Sequence, residues 1–530
     1  MILQKFYTQT LKLFNSKKVF FYNPKYSKWI FLLLLILVSL FYQYHKILFL
    51  RPQGVHQWRQ ADCLSFTMNY YQEGMDFFSP KLHNLGRDGT GKTASDFPII
   101  YYFVAFLWKV FGHHEFIFRI VNLIITFLGL FALFKITEDL LKDSVWSIML
   151  VLLLFTSPML AYYANNFLAN VPAFGFVLIG WYFFMQFYKK KKMKFLYATM
   201  FFFMLGGLLK ITSAMSFVAI SVIFIIELFN IYKFKNNFKI FNNPSRQFIP
   251  FIIVIVGILS WVIFARIYNH DHNKGFFLLS ILPIWNLSWE NIKSILDHID
   301  QIWIYEYFNV YVQYFAIILF ICILIFLNKV NKFLLTVTLL LFLAFVLFLI
   351  LWFKVFEQHD YYLINLLIFF VFICLTFFHY LRKNHFKVFN SLIIKFVFLI
   401  FLITNIGYCK EHIQGRFSGW MNAKHLQHFQ SLETITPYLR SLSIERTDKV
   451  ICFPDKSINI PLYLMDQKGW TGYGDINLNR GEKIAKRIKS GAEYLITFDS
   501  TIYKEDNIQP YIKNKIGSYK NIDIYDLRNL

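Results

Sequence analysis

The segment KFLLTVTLLLFLAFVLFLILW, residues 332–352, opens on one lysine and then runs twenty residues without a charge. At helical rise such a run covers about 30 Å, the thickness of a bilayer's hydrocarbon core. Comparable runs recur along the chain. Candidate spans are 29–50, 117–138, 144–160, 165–187, 194–210, 213–232, 246–268, 311–328, 332–352, 361–380 and 388–408. The composition agrees: of 530 residues 57% are hydrophobic, 21% aromatic and only 16% charged, where soluble domains are about a quarter charged. The apolar runs are continuous and not dyad-patterned, which excludes an outer-membrane barrel. The expected fold is mainly α, a polytopic membrane protein with about eleven transmembrane helices.

The formal net charge of +23 follows topology. Lys5, Lys12, Lys17, Lys18, Lys25 and Lys28 crowd the N-terminal tail. Further blocks are Lys189–Lys192 with Lys194; Lys233, Lys235, Lys239 and Arg246; Lys329 and Lys332; and Arg382, Lys383 and Lys387. None of these stretches contains Asp or Glu, and the positive-inside rule puts them all in the cytoplasm. No basic groove with interleaved aromatics stands outside the spans, so nucleic acid is not an expected partner. The apolar stretch 98–112 decides the register of sides. If it crossed, the Lys189–Lys192 block would land outside. Read instead as an amphipathic helix in the membrane interface, it leaves a first outer loop of 51–116; the alternative is that it spans and a weaker segment does not. The domains are then a basic cytoplasmic tail, 1–28, a transmembrane domain, 29–408, and an extracytoplasmic domain, 409–530. The first apolar run is too long for a signal peptide and lacks a small-residue cleavage site, so it is expected to stay as a span.

Residues 409–530 change character. Val450–Phe453 and Tyr494–Phe498 read as buried strands, and Gly481–Ser490 as a helix stopped by Gly491. Residues 469–474 read as a turn-rich loop. A small α/β domain is expected. The five cysteines, Cys63, Cys322, Cys374, Cys409 and Cys452, form no CxxC pair and suggest neither a disulfide framework nor a thiolate metal site.

Reactive side chains concentrate in the first outer loop, in His56-Gln57-Trp58-Arg59-Gln60-Ala61-Asp62 and Ser95-Asp96-Phe97-Pro98. Asp62 is a candidate general base; burial beside Trp58 would raise its pKa and Arg59 would lower it. The plain alternative is an exposed carboxylate paired with Arg59. Asp96 reads first as a helix cap before Pro98, with a possible second duty facing the same cavity as Asp62. Lys210, which interrupts an apolar run, either snorkels to headgroups or binds an anionic substrate group. His359, in His359-Asp360-Tyr361-Tyr362, could hydrogen-bond a phosphate, ligate a metal or decorate the interface, where the tyrosines fit an aromatic belt. Trp58, Gln60, Asp360 and Tyr361 are candidate pocket residues.

HQWRQAD at 56–62, SDFPIIYY at 95–102 and the stretch from Gly112-His113-His114-Glu115 to Arg119 resemble bacterial glycosyltransferase family 39. Its relatives are the protein O-mannosyltransferases and aminoarabinose transferases of the GT-C fold. TSPMLAYYANNFLANVPAF at 156–174, EQHDYYLINL at 357–366, LYLMDQKGWTGYG at 462–474 and GAEYLITFD at 491–499 extend the resemblance over nearly the whole chain. It implies transfer of a sugar from a polyprenyl-phosphate carrier to a lipid, glycan or protein acceptor outside the cytoplasm, at a bacterial inner membrane. The family's first-loop catalytic acid maps onto Asp62 and its second acidic position onto Asp96. Arg59, Lys210 and His359 would contact the donor phosphate. Some relatives bind a divalent metal through an acid near Asp96, which makes Asp96 a candidate metal ligand here; His359 is a candidate second ligand by its own chemistry. The chain departs from the pattern at Ala61, where many relatives carry a second acid, and at Asn170, where many carry Asp. A lipid-pyrophosphate oligosaccharyltransferase or ligase is the nearest rival. A transporter or flippase would need polar residues at mid-membrane depth and an internal repeat, and the sequence displays neither.

Overall fold

The computed structural model describes residues 24–232, 234, 239–272, 276–277 and 281–530. Lys5, Lys12, Lys17, Lys18, Lys233 and Lys235 lie outside the described residues. All eleven predicted spans fall on helices. Among the described residues seven helices are long and apolar enough to cross a membrane, and two bent pairs would add two more. The shorter apolar helices Pro24–Phe41 and Met193–Leu209 account for the other two expected spans. Their outer faces stay apolar: Ile249, Ile253, Val256 and Ile263 on Pro244–Asp271 are all exposed. In water such a surface would be a liability; against acyl chains it is the expected finish. Helices Glu115–Leu141 and Asn170–Lys190 approach so closely that a Cβ on Gly129 would sit 2.7 Å from the Gly175 Cα.

Several boundaries differ from expectation. The span at 144–160 is not one helix. Ser144–Leu154 and Pro158–Ala164 meet at 81°. Pro158 has no N–H to give and cannot continue a helix from 154; Ser157 accepts from the Leu160 amide and starts a new one. The span at 311–328 is the second arm of another bent pair, Trp289–Tyr307 and Val310–Ile325, at 88°. The segment at 165–187 becomes helical only from Asn170. The helix expected at 98–112 runs Ile99–Phe111, with Lys109 in its last turn. Ile100, Tyr101, Val104, Ala105 and Trp108 are buried, while Phe103, Phe106, Val110 and Phe111 face outward.

The C-terminal region carries a five-stranded sheet in the order β2-β1-β3-β5-β4: β1 Val450–Phe453, β2 Gly469–Thr471, β3 Tyr494–Thr497, β4 Lys515–Tyr519 and β5 Ile522–Asp526. β1 is parallel to both β2 and β3, and β5 is antiparallel to β3 and β4. Helix Arg480–Lys489 begins in an Asn479/Glu482 capping box, and Gly491 follows it at φ +91°. The expected loop at 469–474 is half strand: Gly469-Trp470-Thr471 pairs with β1, because Trp470 buries its ring and glycine at 469 lets the backbone lie against Val450, where a Cβ would collide.

This region docks on the segment between 51 and 116. The Gly469 amide donates to the His83 carbonyl (3.2 Å), the Leu85 amide to the Gly469 carbonyl (2.8 Å), and Trp470 Nε1 to the Gly86 carbonyl (2.7 Å). Arg446 bridges Glu73 (3.0 Å) and Asp466 (2.9 Å) across the same seam. Loop 51–116 and the C-terminal sheet therefore sit on one side of the helical bundle.

Candidate active site

The site is built on helix Gln57–Gln72. The turn before it is held tightly. Gly54 lies at φ +77° with the Arg416 carbonyl 2.7 Å from where a Cβ would stand. Gln60 spends its amide nitrogen on the carbonyls of Gln53 (2.8 Å) and Val55 (3.0 Å), lashing the turn to the helix it starts. Gln60 thus faces the fold and not open space. His56 occupies the left-handed region at φ 56°, a costly conformation for a side-chain-bearing residue.

Arg59 and Asp62, three residues apart, share one helix face, with Arg59 Nη1 3.9 Å from Asp62 Oδ2. Asp62 is only 2% exposed. Its Oδ1 accepts one hydrogen bond, from Asn459 Nδ2 at 2.7 Å. Burial pushes its carboxyl up to about 6, against the opposing pull of Arg59 and Asn459. It is a carboxylate poised near neutrality.

Asp96 is the opposite case. It does not cap the following helix, whose N-cap is Pro98. Lys210 Nζ donates to both its oxygens at 2.9 Å, Arg59 Nη2 donates at 2.7 Å, and the Tyr101 hydroxyl at 3.4 Å. Burial would raise this carboxyl, but Lys210 and Arg59 hold it below the ordinary value. Lys210 stands where helix Met193–Leu209 gives way to the 3-10 turn Ile211–Ala214. It is buried on Asp96 and does not snorkel. Arg59 also donates to Ser95 Oγ (2.9 Å) and lies over the Phe277 ring at 4.7 Å, yet its Nη1 is buried without a hydrogen-bond partner.

His359, Asp360 and Tyr361 join from the start of the 3-10 helix Asp360–Leu366. Asp360 is fully buried; Tyr163 Oη donates at 2.6 Å, Arg416 Nη2 donates at 2.6 Å, and His56 Nε2 lies 3.0 Å away. Tyr361 is buried edge-on to His56, ring centroids 5.0 Å apart. Asn170 Nδ2 donates to the Tyr361 carbonyl at 3.2 Å. The His359 ring lies 5.6 Å from that of His56. Burial first, then the neighbouring His56, Arg59 and Lys210, push His359 down to about 4, so it enters as a neutral ring. Its Nδ1 is buried and unpartnered. Trp58 remains 41% exposed, edge-on to Tyr473 at 5.8 Å.

A metal does not fit the expected pair. Asp96 has both oxygens engaged by cationic side chains. Among the described residues no group of three His, Cys, Asp or Glu could hold an ion. Sequence reasoning missed Asn459, Tyr473, Tyr163 and Arg416, which come from distant segments. It also passed over His56, inside the quoted motif.

Residues 95–240 match the family model described as dolichyl-phosphate-mannose-protein mannosyltransferase. No curated protein matches the chain. Among solved structures, ArnT from Cupriavidus metallidurans bound to undecaprenyl phosphate is similar at TM-score 0.57 and 10% identity, covering 93% of this chain and 97% of that one. Its apo state gives 0.54 and 10%, over 94% and 97%. The Archaeoglobus fulgidus oligosaccharyltransferase in complex with Zn and sulfate gives 0.52 and 11%, over 84% of this chain and 64% of that one. The fold is that of GT-C membrane enzymes, and the stretch from 95 to 240 is similar to the mannosyltransferase family model.

Proposed function

We propose that this GT-C membrane protein moves a sugar from a polyprenyl-phosphate carrier to a lipid, glycan or protein acceptor on the extracytoplasmic face, with the N-terminus in the cytoplasm and the C-terminal sheet outside. The observation that carries the reading is the contrast within one cluster: a buried, under-paired Asp62 beside an Arg59–Asp96–Lys210 triad that still has an unspent Arg59 N–H. Asp62 Oδ2 takes the acceptor's hydroxyl or amine proton. The acceptor atom bonds to the anomeric carbon, and the bond from that carbon to the phosphate oxygen breaks with its electron pair leaving on the prenyl phosphate. Attack from the opposite face inverts the centre. Arg59 Nη1 and the neutral His359 donate to the phosphate as its charge develops, and Lys210 supplies a fixed positive charge behind them. Asp96 keeps both cations aimed at one place. Support comes also from the undecaprenyl phosphate bound by the similar ArnT.

A second reading, transfer of an oligosaccharide from a lipid pyrophosphate, is favoured by the likeness to the oligosaccharyltransferase. Purified protein offered undecaprenyl-phosphate and undecaprenyl-pyrophosphate sugars separates the two. Turnover of only the monophosphate supports the first reading, and turnover of only the pyrophosphate overturns it.

A further inference from the structure

The sheet that sequence sets apart as a separate domain reaches into the site through one residue. Asn459 lies in the segment after β1, at the carboxyl end of a parallel strand. The strand order β2-β1-β3 reverses direction at this strand, and that is the edge where open parallel sheets place their working loops. Segment 454–459 is well anchored. Asp455 accepts from the Ser457 amide (2.9 Å), and Ser457 Oγ accepts from the Ile460 amide (3.0 Å). Asn84 Nδ2, from the first outer loop, donates to the Ile458 carbonyl (2.9 Å).

The orientation of the Asn459 amide follows from its neighbours. The Asn84 backbone N–H, a donor only, lies 3.0 Å from one end of that amide. That end must be the oxygen, so the NH₂ must face Asp62. Its hydrogen bond occupies Oδ1 and leaves Oδ2, 3.9 Å from Arg59 Nη1, as the oxygen with lone pairs to spare.

We infer that Asn459 is a positioning residue for Asp62: it fixes the rotamer of the carboxylate, stabilises its ionised form and reserves Oδ2 for the acceptor's proton, so the C-terminal region completes the site. The inference rests on the reading of Asp62 as base. The charged and titratable groups around Asp62 are Arg59 and Cys63 on its own helix, Tyr473 from the C-terminal region, and Asp96 with Lys210 beyond Arg59.

Asn459→Asp is the sharp test, because it keeps an acceptor for the Asn84 amide and replaces the amide donor facing Asp62 with a second carboxyl. Full-length protein in nanodiscs is titrated by infrared difference spectroscopy, and the Asp62 carboxyl band is identified by its loss in Asp62→Asn. A charge-assisted hydrogen bond corresponds to about one to two pH units of carboxyl titration. Asn459→Ala should move the Asp62 midpoint up by about one unit. In Asn459→Asp the facing carboxylates share a proton, so the upper step should rise further. The acid limb of transfer, measured with undecaprenyl-phosphate-linked sugar, should move by the same interval, with activity recovered at higher pH. An unmoved midpoint in folded variants, a loss of transfer equal at every pH, or unfolding of both variants overturns the inference. Full transfer by Asp62→Asn alongside a shifted Asn459→Asp midpoint would instead overturn the base reading and leave the contact standing.

Discussion

Two buried carboxylates lie in this site under opposite regimes. Asp360 is enclosed by Tyr163, His56 and the Arg416 guanidinium, the last also held by Glu306. Asp62 has one neutral donor and an arginine at 3.9 Å that makes no hydrogen bond to it. Burial costs both groups the same water; only Asp360 is repaid in partners. A saturated carboxylate holds helices together, and an under-satisfied one can take a proton from something else. On the proposed reading, the distinction separates scaffold from chemistry among residues that look alike in composition.

The contrast breaks first at Asp62. Asp62→Asn should lower transfer by about 100- to 10,000-fold, measured with lipid-phosphate sugar at saturating donor. The same change should raise the melting temperature. The folded-state pKa, about 6, lies above the ordinary 3.8, so ionised Asp62 penalises the fold. That penalty is absent below pH 4 and complete above pH 6; removing it is worth on the order of 3 kcal/mol at neutral pH. A variant that is both inactive and less stable would make Asp62 a structural residue. Wild-type transfer should correspondingly fall as pH drops through about 6, because the base works only when ionised.

Arg59 tests the other half of the site. Arg59→Gln removes the unspent N–H and one of the two cations on Asp96, and should cost about 100- to 1,000-fold in kcat. An unchanged kcat with a raised donor KM would reduce Arg59 to ground-state binding. At Asp360 the contrast predicts damage of another kind. Asp360→Asn takes from Arg416 one of its two carboxylate partners, leaving Glu306, and should destabilise the protein by about 1–3 kcal/mol, read as a lower melting temperature in detergent. The fraction that remains folded should keep its transfer rate within about tenfold. Loss of rate at full stability would move Asp360 into the chemistry.

Much of this arrangement is legible in the chain before folding. Apolar runs announce the helices because the bilayer demands about twenty residues of one character. Arg59 and Asp62 can be paired because three residues is less than one helical turn. Lys210 announces itself as a charge inside an apolar run. Gln60 misleads for a physical reason: a buried amide in a reactive motif looks like a ligand group, yet here the backbone of a tight turn claims it. The bend at Ser157-Pro158 is written in a cap and a proline, but continuous hydrophobicity hides it. Asn459 is invisible. It lies 397 residues from Asp62, flanked by two isoleucines in a short loop, and only the docking of the sheet on the segment between 51 and 116 brings it there.

Trp58 provides the finest gradation. It sits four residues before Asp62 on the same helix, with its ring half open to solvent and its edge on Tyr473. Unlike the buried aromatics of the helical bundle it contributes little to the core, so truncating it removes contact area next to the base and not a support for the fold. An aromatic contact is worth about 0.5–1.5 kcal/mol beyond its burial, so Trp58→Ala should raise the acceptor KM about two- to tenfold, with kcat and melting temperature nearly unchanged. Trp58→Phe, which keeps a ring, should recover most of that loss. If Trp58→Ala instead lowers kcat as far as Asp62→Asn does, the indole is shaping the proton transfer itself, and the division between a reactive carboxylate and a merely adjacent binding wall fails.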